Sequence, residues 1–167
     1  MHSRLYMRGE LTMLKKFIKD LLGRDLFKAD LNCTQDAELE RFIHKENMPI
    51  ELARAKLMYS ESRAVAQDNS LYGDIDQGFL NSNGEVILVD TKVRERKKVS
   101  KKDIVQLSSY RWILLTRKVK VASYGYVRFV NPNVEGRNRI SYEKVQLMAS
   151  SEVQALINEY QLADNLV

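Results

Sequence analysis

The sequence predicts an α/β (α+β) fold, a central mixed sheet of about five strands flanked by helices. Three observations carry this. Helical and strand-like patterns interleave, with a helix dividing three strands from two. Residues 86–89 read Val-Ile-Leu-Val, the unbroken apolar run of a strand buried on both faces. Residues 81–84, Asn-Ser-Asn-Gly, form a turn that tolerates positive φ and joins that strand to the one before it.

The first 11 residues show no periodicity and are expected to form a loosely held extension. Residues 12–22 place Leu14, Phe17, Ile18, Leu21 and Leu22 at helical spacing with lysines between them, capped by Thr12 and stopped by Gly23. A basic amphipathic helix either packs on its own domain, the commoner outcome, or lies on a membrane surface. Residues 37–47 form a second expected helix, with Leu39, Phe42 and Ile43 inward and Pro49 beyond its end. His44 falls near that end. Residues 51–58 are expected to continue as helix.

Strands are expected at 59–66 and 71–80, and the second pairs with 86–89 as a hairpin. Residues 100–116 read as a helix. Ser100 and Asp103 have capping-box spacing, and the apolar positions run broadly round the helix, so it is expected to be well buried. Residues 119–130 are aromatic-rich and suit a strand broken by Asn131-Pro132-Asn133. A last strand at 140–148 and a last helix at 151–160 complete the pattern. No repeat or linker divides it, so the 167 residues are expected to form one domain.

At 44% hydrophobic and 29% charged residues, the composition is ordinary for a soluble globular protein. No apolar run approaches the roughly 18 residues of a membrane span, and no secretory leader is legible, so no membrane partner is expected. Cys33 is the only cysteine, which excludes an internal disulfide and a cysteine-ligated cluster within one chain. It is expected to be a core filler in a cytoplasmic protein. The net charge of +5 is confined to one place. Residues 94–102 hold six basic residues (Arg94, Arg96, Lys97, Lys98, Lys101, Lys102) and one acid, Glu95, and the remainder balances at 21 against 21. Such a patch attracts polyanions, nucleic acid first, unless it is only a solvated loop.

The chemistry lies beside that patch. Asp90 and Lys92 are two apart on one strand, so they point to one face, and the hairpin brings that face beside Asp76. Two carboxylates converging at a strand end make a hard-oxygen site for Mg²⁺ or Mn²⁺. A lysine alongside orients water and offsets phosphate charge. The bland alternative is a surface hairpin with a salt bridge. Against it, Asp90 directly follows an apolar strand, where unpaired charge is costly.

These residues resemble a known family. Gly73-Asp74-Ile75-Asp76, then Asp90-Thr91-Lys92, then Gln106-Leu107-Ser108-Ser109-Tyr110 is similar to the PD-(D/E)XK nuclease superfamily. The similarity is to its RecB-like branch, which includes the CRISPR-associated adaptation exonucleases. The resemblance implies a restriction-endonuclease-like core and a metal-dependent DNA nuclease, an exonuclease or DNA-processing enzyme. It implies metal ligation by Asp76, Asp90, the Thr91 carbonyl and His44, with Lys92 catalytic and Gln106 and Tyr110 steadying the site. Asp74 competes with Asp76, whose interval to Asp90 suits the family better. Glu61 and Glu85 are further acids near the pattern. The cluster cysteines of some relatives are missing, as is any helicase motif, so a helicase or a recombination or repair partner would be a separate chain. DNA would lie on the basic loop through phosphate contacts alone. The competing readings are a catalytically inactive nucleic-acid-binding or scaffold protein of the same fold, and a membrane-surface protein.

Overall fold

The computed structural model describes residues 47–68 and 70–164. The expected helix at 12–22, the expected helix at 37–47 up to residue 46, the N-terminal extension, Cys33 and His44 lie outside the described residues. The described part is a five-stranded mixed sheet with helices, in the spatial order β1-β2-β3-β4-β5. The strands are β1 (Lys56–Val65), β2 (Tyr72–Leu80), β3 (Val86–Val93), β4 (Val121–Val130) and β5 (Ile140–Gln146). The α-helices are α1 (Ile50–Ala53), α2 (Lys101–Thr116) and α3 (Ser150–Asp164).

β3 is the middle strand and explains the rest. Val86 and Leu88 pack with Leu107, Ile113, Val127 and Phe129 on the α2 side, while Ile87 and Val89 pack with Leu52, Leu57, Phe79 and Tyr126 on the other. Both faces are buried, as the unbroken apolar run requires. β2 runs antiparallel to β3 through the expected turn, where Asn81 Oδ1 accepts from the Asn83 and Glu85 amides at 2.9 and 3.0 Å. Gly84 takes φ 74° there, the left-handed conformation that glycine adopts without a Cβ penalty. β4 runs parallel to β3, which needs a crossover, and α2 supplies it. β5 returns antiparallel on the far edge.

α2 begins at a complete capping box: the Asp103 amide donates to Ser100 Oγ, and the Ser100 amide donates to the Asp103 carboxylate. It ends with Lys118 at φ 61°. The Lys118 amide reaches the Leu115 carbonyl at 3.0 Å and the Val119 amide reaches Leu114 at 3.1 Å, the two bonds of a Schellman stop. Val119 is therefore still part of the helix end, and β4 starts at Val121 rather than at 119.

The expected helix at 51–58 is wrong beyond its first turn. Helix ends at Ala53 and β1 begins at Lys56. Leu52, Ala55 and Leu57 all bury in the second core cluster, and pairing of 56–57 with Leu80 and Phe79 prevails over helix continuation. A register shift between Leu57 and Tyr59 weakens the alternation of β1, which hid its first three residues from the sequence pattern.

Candidate active site

The last β2–β3 pair before the strand end is Gln77 with Val89. One step further along each strand stand Asp76 and Asp90. There the ladder gives way to a side chain: Asp76 Oδ2 accepts from the Thr91 amide at 2.7 Å. β3 meanwhile stays paired with β4, Lys92 opposite Phe129. The β2–β3 pairing ends at this point, with the two carboxylates one residue beyond it on each strand.

Asp90 continues the α2-facing side of β3 and is 1% exposed. Lys92 Nζ lies 2.7 Å from its Oδ2, an ion pair at the strand end. Gln106, in the second turn of α2, joins the two. Its Oε1 accepts from Lys92 Nζ at 2.9 Å, and its Nε2 donates to Asp90 Oδ1 at 3.1 Å and to Tyr110 Oη at 2.9 Å. The amide has only one workable orientation, because an ammonium offers donors alone and must face the oxygen. Gln106 and Tyr110 are four apart on the helix, so both reach the same spot.

Burial pushes the Asp90 carboxyl up to about 6, with Lys92 pulling the other way and Asp76 and Asp103 adding to the rise. Burial also drives the Tyr110 hydroxyl well above the usual phenol range, against the hydrogen bond from Gln106. Tyr110 is therefore a neutral hydrogen-bonding group at any working pH.

Among the described residues, no three His, Cys, Asp or Glu side chains group to hold a metal ion. The donors that remain are Asp76, Asp90 and the Thr91 carbonyl. Asp90 Oδ2 is buried and takes Lys92 Nζ at 2.7 Å, and a carboxylate oxygen carries a second lone pair beyond that contact. All three are hard oxygen donors, the type that Mg²⁺ and Mn²⁺ prefer. His44 lies outside the described residues.

The other sequence candidates sort by position. Asp74 forms a surface ion pair, with Arg63 Nε 2.8 Å from its Oδ1, which separates it from Asp76. Glu61 is exposed, with φ 46°, in the β1 register across from Asp76. Glu85 sits just before β3, at the end opposite Asp90. Arg96, Lys97, Lys98, Lys101 and Lys102 are exposed around the start of α2. Their loop is tied sideways, because Asn133 Nδ2 donates to Glu95 Oε1 at 2.6 Å and Asn131 Nδ2 to the Glu95 carbonyl at 3.2 Å.

Arg94 departs from the expectation of a phosphate contact. Its guanidinium is engaged inward, donating to both oxygens of Asp103 at 2.8 and 2.7 Å. Asp103 is fully buried, and although burial opposes its charge, Arg94 and Ser100 outweigh that and hold its carboxyl below the usual range. The sequence marked Asp103 only as a cap; the Arg94 pairing had no periodic signal.

No family model matches the sequence, and no curated protein matches it. A solved structure titled "Crystal structure of SSO0001" is similar at 17% identity, with a TM-score of 0.43. The match covers 62% of this chain and spans half the length of that one. No helix among the described residues is long and apolar enough to cross a membrane.

Proposed function

We propose that this chain is a metal-dependent deoxyribonuclease of the PD-(D/E)XK type, hydrolysing phosphodiester bonds as an exonuclease or DNA-processing enzyme. The observation that carries this reading is Lys92 held between Asp90 at 2.7 Å and Gln106 at 2.9 Å, at the strand end where Asp76 also stands. A surface salt bridge needs neither the buried carboxylate nor the glutamine that orients both partners. The sheet order, with the Asp-Thr-Lys end on a central strand and a crossover helix carrying Gln106 and Tyr110, suits a restriction-endonuclease-like core.

Asp76, Asp90 and the Thr91 carbonyl would hold Mg²⁺ or Mn²⁺. The ion supplies Lewis-acid polarisation of the phosphoryl oxygen. Lys92 does the rest of the work in this chain. Asp90 and Gln106 take two directions of its ammonium and leave a third N–H to orient a water or a phosphate oxygen. Gln106 keeps Lys92 aimed, and Tyr110 keeps Gln106 in place. The exposed cations of the 96–102 segment would bind the DNA backbone without reading bases.

The test is cleavage of end-labelled single- and double-stranded DNA with Mg²⁺ or Mn²⁺, comparing wild type with Lys92→Ala. The proposal expects metal-dependent products that disappear in the variant, and the product ladder separates exonuclease from endonuclease action. Equal cleavage by both proteins refutes the site. Binding without cleavage by either protein makes the chain a nucleic-acid-binding module.

A further inference from the structure

We infer that the Arg94–Asp103 ion pair is a positioning clamp that sets Lys92 against Gln106, and that Arg94 is not part of the DNA-contacting surface. This rests on the nuclease reading of the site.

Arg94 lies two residues beyond Lys92 at the end of β3, and Asp103 lies three residues before Gln106 at the start of α2. The clamp and the Lys92–Gln106 hydrogen bond therefore cross the same junction, one step apart. The clamp is the stiffer of the two. It is a bidentate, charge-assisted pair at 2.8 and 2.7 Å, with an Asp103 side chain only 1% exposed. The same carboxylate accepts from the Ser100 amide and hydroxyl, both at 2.8 Å, so it fixes the helix start as well as the arginine. At its other end Arg94 is anchored to β4. Its amide donates to the Val130 carbonyl at 3.0 Å, and its guanidinium stands 6.0 Å from the centre of the Phe129 ring. Phe129 is the residue paired with Lys92 across the sheet.

Asp103 and Gln106 are about 4.5 Å apart along the helix axis. A tilt or slide of the helix start of one ångström passes almost undiminished to Gln106. A hydrogen bond of 2.9 Å does not survive such a shift. Releasing the clamp thus disorders Lys92 without touching it. A phosphate-binding arginine would leave its fork pointing to solvent; here both ends of the fork are occupied by a buried carboxylate.

The experiment uses the full chain and the variants Arg94→Ala, Arg94→Lys, Asp103→Asn and, from the exposed loop, Lys97→Ala. Steady-state cleavage with Mg²⁺ gives kcat and KM. Affinity for a labelled duplex in EDTA, measured across salt concentrations, gives the electrostatic slope. An NMR cross-peak between the Lys92 ε-methylene and the Gln106 side-chain amide reads the clamp without any catalysis. Arg94→Ala and Asp103→Asn should lower kcat by up to about 100-fold with KM little changed, and Arg94→Lys should recover part of it. The salt slope should be unchanged in Arg94→Ala and should fall by about 0.9 in Lys97→Ala. The cross-peak should vanish in Arg94→Ala. The clamp is refuted if Arg94→Ala lowers the slope as Lys97→Ala does, or if it keeps both the cross-peak and wild-type kcat. Should wild type not cleave DNA, the nuclease reading fails and the cross-peak alone decides the clamp: loss supports it and persistence refutes it. If Arg94→Ala does not fold, Arg94→Lys and Asp103→Asn, which retain cap hydrogen bonding, carry the same comparison.

Discussion

Gln106 and Lys92 meet across the junction of α2 and β3, with Gln106 Oε1 accepting from Lys92 Nζ at 2.9 Å. The other half of the amide donates to Asp90 Oδ1 at 3.1 Å. Gln106→Glu keeps the acceptor for Lys92 but turns that donor into a second anionic oxygen facing Asp90. Like charges at this distance in a buried site oppose ionisation of both groups. Gln106→Glu should therefore lose more cleavage activity at pH 7 than at pH 8.5, whereas Gln106→Ala should lose activity equally at both. The stability cost should be about 1–3 kcal/mol for either, measured by urea unfolding. A Gln106→Glu protein as active as wild type at pH 7 would remove Gln106 from the site.

Asp90 sets a pH dependence of stability. Its carboxyl is raised from 3.8 to about 6 by burial. A raised carboxyl is protonated more readily in the folded chain than in the unfolded one, so its contribution is full below about 4 and is lost as pH rises through about 6. The shift of about 2 units corresponds to at most about 3 kcal/mol. Wild type minus Asp90→Asn, unfolded by urea in EDTA at pH 4 and pH 7, should differ by a value of that sign and order. Other carboxylates cancel in the difference. If the difference is the same at both pH values, Asp90 is not buried as described.

Much of this site was legible because it depends on spacing. Asp90 and Lys92 share a face by strand period, Gln106 and Tyr110 by helix period, and the Val86–Val89 run placed the first pair on a central strand. The preference for Asp76 over Asp74 rested on its interval to Asp90, since both point the same way along β2; the contacts add that Asp76 accepts from the Thr91 amide while Asp74 pairs with Arg63. What periodicity missed were contacts between elements. Arg94 looked like one more cation in a basic run, yet it is bonded to Asp103 nine residues on. Nothing in the pattern of 51–58 announced that Leu57 would pair with Phe79 instead of continuing a helix. Glu51 likewise gave no hint of its partners, which lie more than 70 residues away.

Lys118 offers a change that tests the fold without approaching the site. It is exposed and closes α2 at φ 61°, a conformation that glycine reaches without strain. Lys118→Gly should stabilise the chain by about 1 kcal/mol, because the left-handed penalty of a residue with a Cβ is removed. Part of that gain is offset by the greater freedom of glycine in the unfolded chain. Thermal unfolding should show a higher midpoint with DNA cleavage unchanged. A lower midpoint would mean that the helix does not end in this conformation.

Glu51 fastens the start of the described chain to the far face of the sheet. Tyr124 Oη donates to its Oε2 at 2.7 Å, Lys144 Nζ donates to its Oε1 at 2.9 Å, and Tyr126 Oη donates to the same oxygen. Lys144 also stands 3.7 Å from the centre of the Tyr124 ring. Burial raises the Glu51 carboxyl, but the three donors outweigh it and hold it below its ordinary value. Its stabilisation is therefore present above about 4.5 and is lost as pH falls. That is opposite in sign to the contribution of Asp90. Glu51→Gln retains one acceptor oxygen and loses the charge, so it should cost about 2 kcal/mol at pH 7 and much less at pH 3.5. The phenol of Tyr126, raised by its own burial and by the carboxylate, should titrate at lower pH in the variant, which ultraviolet absorbance follows directly. A variant with unchanged stability at pH 7 and unchanged tyrosine titration would mean that α1 is not held by this carboxylate.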